Sequence, residues 1–263
     1  MIGFIGAGNM ATALIRGMLD GGMDAQELLA FDVNPERMDA MRSIGVATAN
    51  SAVELANAAE TVVLAIKPKD IRAMLATLAE HATVRELVSI AIGWTQAMLE
   101  EALPTARGIV RMMPNTPALV REGVIAFCAD HTVSPERFAE IERSFSYCGR
   151  SLMVPETLFD AVASLSGSGP AYVYLFIEAL GDAGVREGLP RETAYTLAAQ
   201  TLLGAAKMVL QTGKHPGALK DAVCSPGGST IEAIYALEKG GLRGAVIDAV
   251  DACTRKAAAM AKK

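Results

Sequence analysis

Aromatic residues make up only 5% of this 263-residue chain, with a single Trp among them, so a core has to be built from Ala, Leu, Val and 13 Met. Histidine is scarcer still: three residues, in no HExxH run and no paired ligand spacing, which argues against a metal site. The four cysteines, Cys128, Cys148, Cys224 and Cys253, show no CxxC spacing, and buried reduced thiols are the expectation for them. No Lys/Arg run is longer than the terminal Lys262-Lys263 pair, and with a net charge of −5 no nucleic acid partner is expected. Long apolar runs are absent too. None approaches the roughly 18 residues of a spanning helix, so no membrane partner is expected, although 51% of the residues are hydrophobic. The start, MIGFIGAGNMA, has neither a basic stretch nor a small-residue cleavage site; it reads as folded structure and implies a cytoplasmic location.

What is present is enough length and apolar content for a large core, with 20% charged residues arguing against disorder. Up to about residue 153, short β-branched runs alternate with helical stretches, the pattern of a parallel sheet with crossover helices. Strands are expected over 2–6, 28–32, 61–66, 87–91, 108–112, 124–128 and 151–154, with Pro35, Pro114, Pro117 and Pro135 falling between elements. After Pro155 the β-branched runs stop, and Ala-rich segments of helical period fill the rest. The expected fold class is α/β: a doubly wound sheet in residues 1–154, followed by an all-α domain in residues 155–263. Two helical stretches, 171–188 and 191–213, are apolar on more than one face, and about a hundred residues cannot cover such helices alone. A second copy of the chain, packed through these C-terminal helices as a homodimer, is the expected cover.

The first strand runs into Gly6-Ala7-Gly8-Asn9-Met10-Ala11, a GxGxxA, and then into a helix from Thr12. The first Gly permits a tight turn and the second lets backbone approach a pyrophosphate. Ala11 permits close helix–strand packing, and the helix start offers free N–H groups to the anion. The strand before, the helix after and an acid at the end of the second strand together point to a Rossmann-type dinucleotide site. That acid is Asp32, at about the 20-residue distance of a ribose-binding carboxylate, and it favours NAD. Asn34 and Arg37 just beyond could instead meet a 2′-phosphate, while Asp32 and Asn34 are also ordinary caps for a helix starting at Pro35. These residues leave the choice of NAD or NADP open.

Two further strand ends carry polar groups, Ala65-Ile66-Lys67-Pro68 and Met113-Pro114-Asn115-Thr116-Pro117. Open α/β sheets bind ligands at the carboxyl ends of their strands. The Lys67 backbone is placed to line a nicotinamide ribose and its ammonium to hold an anionic substrate; the alternative is a solvated lysine at a helix start. Asn115 and Thr116, held between prolines, would face the same crevice, and a plain β-turn fits the segment equally well. In the helical half, Ser225-Pro226-Gly227-Gly228-Ser229-Thr230 forms a loop that opens a helix, where backbone N–H groups and hydroxyls can bind a carboxylate. Ser229 with Glu232 three residues on also reads as a capping box. His81 and His131 lie in polar stretches and read as surface, and His215 beside Pro216 reads as a helix entry.

At this point the chain resembles the pyrroline-5-carboxylate reductase family over its whole length. The resemblance rests on GAGNMA at the start, AIKP at Ala65 to Pro68, MPNTP at Met113 to Pro117, SGSGPAY at Ser166 to Tyr172 and PGALKDAVCSPGGSTIEAIYALE at Pro216 to Glu238, the last being the most specific. It implies reduction of L-1-pyrroline-5-carboxylate to L-proline, the last step of proline biosynthesis, with NADPH as the commoner donor and NADH also serving. It further implies a helical dimerisation domain, with assemblies of dimers such as a ring, and an active site at the dimer interface. The resemblance implies that Ser225, Gly227, Gly228, Ser229 and Thr230 grip the substrate carboxylate and ring nitrogen, with Ser168 and Pro170 nearby. Thr230 and Lys67 are then the catalytic candidates. Gly6, Gly8, Asn9, Met10, Asp32, Asn34, Arg37, Ala65, Lys67, Pro68 and Asn115 are the cofactor-binding candidates, and Asn115 also lies toward the substrate. Asp32 departs from what a strict reader of NADP carries. A β-hydroxyacid dehydrogenase shares the strand–helix start but needs a helical-domain Lys, and neither Lys207 nor Lys220 has the accompanying Asn three or four residues on.

Overall fold

The computed structural model describes residues 1–261. Its first part alternates strands and helices: β1 (Ile2–Ile5), α1 (Asn9–Asp20), β2 (Leu28–Phe31), α2 (Pro35–Ser43), β3 (Ala47–Thr48), α3 (Ala52–Ala58), β4 (Thr61–Leu64), α4 (Pro68–His81), β5 (Glu86–Ser89), α5 (Gln96–Ala102), β6 (Gly108–Pro114), β7 (Gly123–Cys128), α6 (Pro135–Ser146) and β8 (Gly149–Val154). These strands form one sheet in the order β3-β2-β1-β4-β5-β6-β7-β8. Every residue of β1, β4, β5 and β6 is buried, because helices cover both faces of the sheet. Successive side chains alternate between the faces. Phe4 packs on one side with Leu14, Ile15, Val63, Val88, Val110 and Phe127. Ile5 packs on the other with Leu55, Leu64, Ile71, Leu87, Ile109 and the lone Trp94.

The sheet is not wholly parallel. β6 and β7 pair antiparallel, with Met113 opposite Ala126, which corrects the expectation of an all-parallel arrangement. The physical reason is the connection, residues 115–122, which holds only a short 3₁₀ turn (Thr116–Val120) ending at Arg121 with φ +62. A parallel return needs a crossover of about a dozen residues or more. The two-residue strand β3 also escaped the sequence reading.

The chain divides into two compact units, one of residues 1–168 together with residues 253–261, the other Gly169–Ala252. Within the first, the segment after β8, including α7 (Phe159–Val162), packs onto the end of the sheet: Phe159 and Ala163 join Met113, Ala126 and Cys128 in one buried cluster. Helices α8 (Gly169–Arg186), α9 (Arg191–Thr212), α10 (Pro216–Ala222), α11 (Ser229–Lys239) and most of α12 (Leu242–Ala261) make up the second. In it α8 and α9 approach closely where Gly181 faces Tyr195; a Cβ on that glycine would lie 2.6 Å from the ring. Buried residues in these two helices are confined to Gly181, Ala194 and Ala198, whereas Leu175, Leu210, Tyr235 and Ile247 of the second unit are each more than 60% exposed. Among the described residues no helix is long and apolar enough to cross a membrane.

Candidate active site

The nucleotide corner lies where β1 and β4 adjoin and the strand order reverses, the position at which such sheets bind ligands. Gly6 adopts φ +99, and a Cβ there would stand 2.5 Å from the Ala65 carbonyl oxygen, so only glycine lets the loop after β1 lie against the end of β4. Gly8 caps α1 in extended conformation with no side-chain cap and no acidic residue in the first turn. The first-turn N–H groups are thereby left for an anion. Space above Gly8 is open as far as Arg37, whose Nη1 lies 3.8 Å from where a Cβ would be. These features fit a dinucleotide pyrophosphate. Asn9 is exposed and Met10 half-buried at the same turn.

Asp32 is turned inward. Its Oδ2 accepts from the Ala7 N–H at 2.8 Å and from Arg37 Nη1 at 3.2 Å, and its Oδ1 accepts from the Asn34 N–H at 2.9 Å. Burial alone would raise its pKa, but these hydrogen bonds and the Arg37 charge hold it below the ordinary 3.8. Asn34 caps α2, its Oδ1 accepting from the Glu36 N–H at 2.9 Å.

Lys67 and Pro68 open α4 at the end of β4; Lys67 is exposed, and its side chain does not cap the helix. Asn115 is buried and both ends of its amide are engaged: Oδ1 accepts from the Val124 N–H at 2.8 Å, and Nδ2 donates to the Ser166 carbonyl at 3.0 Å. It is a clasp between the end of β6, β7 and the π-helical turn Ala163–Gly167. Ser168, which caps that turn, lies 3.3 Å from Cys253 Sγ through its hydroxyl.

The sequence reading passed over Arg111, whose side chain is 7% exposed in the middle of an otherwise apolar strand. It pairs with Glu156 at 2.5 Å and lies with its Cζ 4.6 Å above the Phe159 ring. Glu156 also accepts from the Gln96 N–H at 2.6 Å, and its own N–H donates to Asp130 at 2.9 Å. The pair anchors the segment that leads to Ser166, and a charged residue inside an apolar strand was the available signal.

In the second unit, α10 ends at Ala222 and α11 begins at Ser229. The cap of α11 is Gly228, with no side-chain cap bond, so Ser229 is the first helical residue and the capping-box alternative does not hold. Gly227 turns at φ +70, and the Gly228 N–H donates to the Ser225 carbonyl at 3.0 Å. Ser225, Ser229 and Thr230 are all exposed. The loop therefore presents three hydroxyls and the uncapped N–H groups of an 11-residue helix in one short segment.

The histidines take no part. His215 caps α10 through Nδ1, which accepts from the Gly217 N–H at 3.0 Å, and His81 is exposed. His131, expected at the surface, is half-buried with its ring stacked on Phe138 at 4.4 Å between centroids. Cys128 and Cys148 are buried, but Cys224 and Cys253 are only half-buried, which corrects the expectation of four buried thiols. Burial pushes the Cys148 thiol up to about 12. Among the described residues no group of three His, Cys, Asp or Glu could hold a metal ion.

The sheet order, the glycine turn and the uncapped helix start define a dinucleotide-binding protein of the Rossmann class. Residues 1–93 match the family model "NADP oxidoreductase coenzyme F420-dependent", and residues 156–260 match "Pyrroline-5-carboxylate reductase dimerisation". The chain is 42% identical to pyrroline-5-carboxylate reductase of Escherichia coli K12 over 99% of its own length and 98% of that protein's. The Methanosarcina acetivorans enzyme of the same name is 41% identical over 100% and 98%. The crystal structure of Plasmodium falciparum pyrroline carboxylate reductase with NADP bound superposes with a TM-score of 0.89 at 34% identity, covering 99% of this chain and 97% of that one. The chain belongs to the pyrroline-5-carboxylate reductase family.

Proposed function

We propose that the chain reduces L-1-pyrroline-5-carboxylate to L-proline with NADPH, the last step of proline biosynthesis, as a cytoplasmic homodimer. The observation that carries the reaction is the exposed Ser225–Thr230 loop, with an uncapped helix start and three free-standing hydroxyl groups, in a full-length relative of the reductases. The unsupported apolar surface of α8, α9, α11 and α12, in a region matched by a dimerisation model, supports the second copy. Assembly of dimers into a ring is a further expectation from the family resemblance.

Reduction of a cyclic imine adds a hydride to the imine carbon and leaves the proton on nitrogen. The bound reduced nicotinamide supplies the hydride. Ser225 and the Ser229 and Thr230 N–H groups hold the substrate carboxylate, with Gly227 and Gly228 keeping the loop narrow enough for backbone to approach. The Thr230 hydroxyl oxygen accepts a hydrogen bond from the ring N–H of the protonated imine and holds that proton in place as the nitrogen becomes an amine. A pyrroline nitrogen is basic enough to be substantially protonated near neutral pH, so no strong acid is needed. Lys67 draws the anionic substrate toward the nicotinamide side, beside Ala65 and Pro68. Asn115 acts by holding the π-helical turn that leads to Ser168. Gly6, Gly8, Asn9 and Met10 bind the pyrophosphate, and Arg37 and Asn34 form the ribose end, with Asp32 behind them holding Arg37 in place.

The test follows NADPH oxidation by absorbance with pyrroline-5-carboxylate as acceptor. Thr230→Ala should lower kcat about ten- to a hundred-fold, the loss of one hydrogen bond to a charged group at ~1.5–3 kcal/mol. Ser225→Ala should mainly raise KM for the imine. No oxidation by folded protein contradicts the reaction, and unchanged kinetics in both variants contradict the site. Sedimentation at micromolar concentration should return a dimer or a larger assembly; monomer mass contradicts the second copy.

A further inference from the structure

We propose that Arg37 is the residue that selects NADPH in this chain, and that Asp32 acts on the cofactor only through Arg37, as a positioning residue. The assignment rests on the dinucleotide-dependent reduction proposed for this chain. In a Rossmann-type fold an acid at the end of the second strand ordinarily bonds the ribose 2′-hydroxyl, whereas a nearby arginine accommodates a 2′-phosphate. Asp32 occupies that position but faces the wrong way for the first role. Its side chain is only 7% exposed, and its two oxygens already accept three hydrogen bonds, from the Ala7 N–H, the Asn34 N–H and Arg37 Nη1. A carboxylate has about four acceptor positions, so at most one remains here, too few for a pair of ribose hydroxyls.

The same bonds put a cation where the phosphate would come. Arg37 is the third residue of α2, and its side chain is 48% exposed. One guanidinium nitrogen is fixed at 3.2 Å from Asp32, and its 3.8 Å approach to the side-chain position of Gly8 places it over the loop that takes the pyrophosphate. An arginine carries five N–H donors in a planar fork suited to phosphate oxygens, and the Asp32 contact occupies one edge of it. The Asn34 side chain caps α2 through its oxygen, so its NH₂ group is a further donor at the same helix start. Asp32 neutralised by Arg37 also repels a 2′-phosphate less than a free carboxylate would.

The experiment is titration calorimetry with 2′,5′-ADP and 5′-AMP, which differ only in the 2′-phosphate. The wild-type chain should bind 2′,5′-ADP at least about tenfold more tightly, and Arg37→Ala should bring the two within about threefold of each other. Asp32→Asn should reduce the ratio while leaving 5′-AMP affinity within about threefold, because the ribose hydroxyls are not its ligands. Arg42→Ala, on the same helix but paired with Asp39, controls for general charge and should leave the ratio unmoved. A wild-type ratio near one, or loss of 5′-AMP binding in Asp32→Asn, overturns the assignment. A variant that merely damages the fold weakens both nucleotides equally and leaves the ratio unchanged; such a result for Arg37→Ala also overturns it. Failure of the proposed reaction reads out separately: a chain that discriminates the two nucleotides but does not reduce pyrroline-5-carboxylate contradicts the substrate and not Arg37.

Discussion

Gly228 and Gly227 are neighbours in the loop before α11, and alanine should harm them in different ways. Gly228 has φ −81, which any residue can adopt, but a Cβ there runs into Ser225 Oγ, with the Ser225 carbonyl oxygen at 3.1 Å. The hydroxyl is the free end of a rotatable side chain, so it can turn away and the fold survives. The stability cost reduces to exchanging Gly for Ala at a helix cap, about 0.5–1 kcal/mol, or roughly 1–4 °C in Tm for a chain of this size. The displaced hydroxyl, however, loses the bond to the substrate carboxylate proposed for it, ~1.5–3 kcal/mol, which is about a ten- to 150-fold rise in KM. Gly227 has φ +70 with open space around it, so Gly227→Ala carries a strain of about 1–2 kcal/mol and leaves Ser225 in place. Steady-state kinetics at saturating NADPH, paired with thermal melts, separate the two. A KM for Gly228→Ala within about twofold of the wild type, or a rise for Gly227→Ala as large as that for Gly228→Ala, would refute this role for Ser225.

Asn115→Leu removes both partners of a buried clasp, leaving the Val124 N–H and the Ser166 carbonyl unpaired; calorimetry should show a loss of about 2–5 kcal/mol, and an unshifted melt contradicts the clasp. Asp32 titrates lower in the folded chain than its ordinary 3.8, so its contribution to stability is present above that pH and is lost as pH falls through the folded value. Asp32→Asn should therefore flatten the fall in stability below about pH 4, and an unchanged acid limb in urea titrations counts against the Ala7 and Arg37 bonds. Cys148, with its thiol near 12 rather than 9.0, should react with iodoacetamide at pH 8 at least about a thousandfold more slowly in the native chain than after unfolding; equal rates contradict its burial.

Features set by local chemistry were legible in the sequence. The Gly6–Ala11 turn was readable because a positive φ at Gly6 and the close approach to Ala65 both demand glycine. The apolar runs of β1, β4, β5 and β6 were readable because a sheet covered on both faces needs them. The loop before α11 was readable in outline, and the structure moved its cap by one residue, from Ser229 to Gly228. What was not legible depends on partners distant in the chain. The inward turn of Asp32 is set by Ala7 in the loop after β1 and by Arg37 in the first turn of the next helix. Asn115 is decided by Ser166, 51 residues away, and the tolerance for Arg111 inside a strand by Glu156 and Phe159. The antiparallel β6–β7 pair was in principle readable from its short connection, which has no room for a crossover helix.

The most direct test of the central claim is to supply NADPH deuterated at the transferable position of the nicotinamide, with pyrroline-5-carboxylate, and to examine the product by mass spectrometry and NMR. The product should be L-proline carrying one deuterium on the former imine carbon and none elsewhere, formed in step with NADPH loss. Cofactor oxidation without labelled proline, or folded protein that leaves both reactants untouched, would contradict that claim.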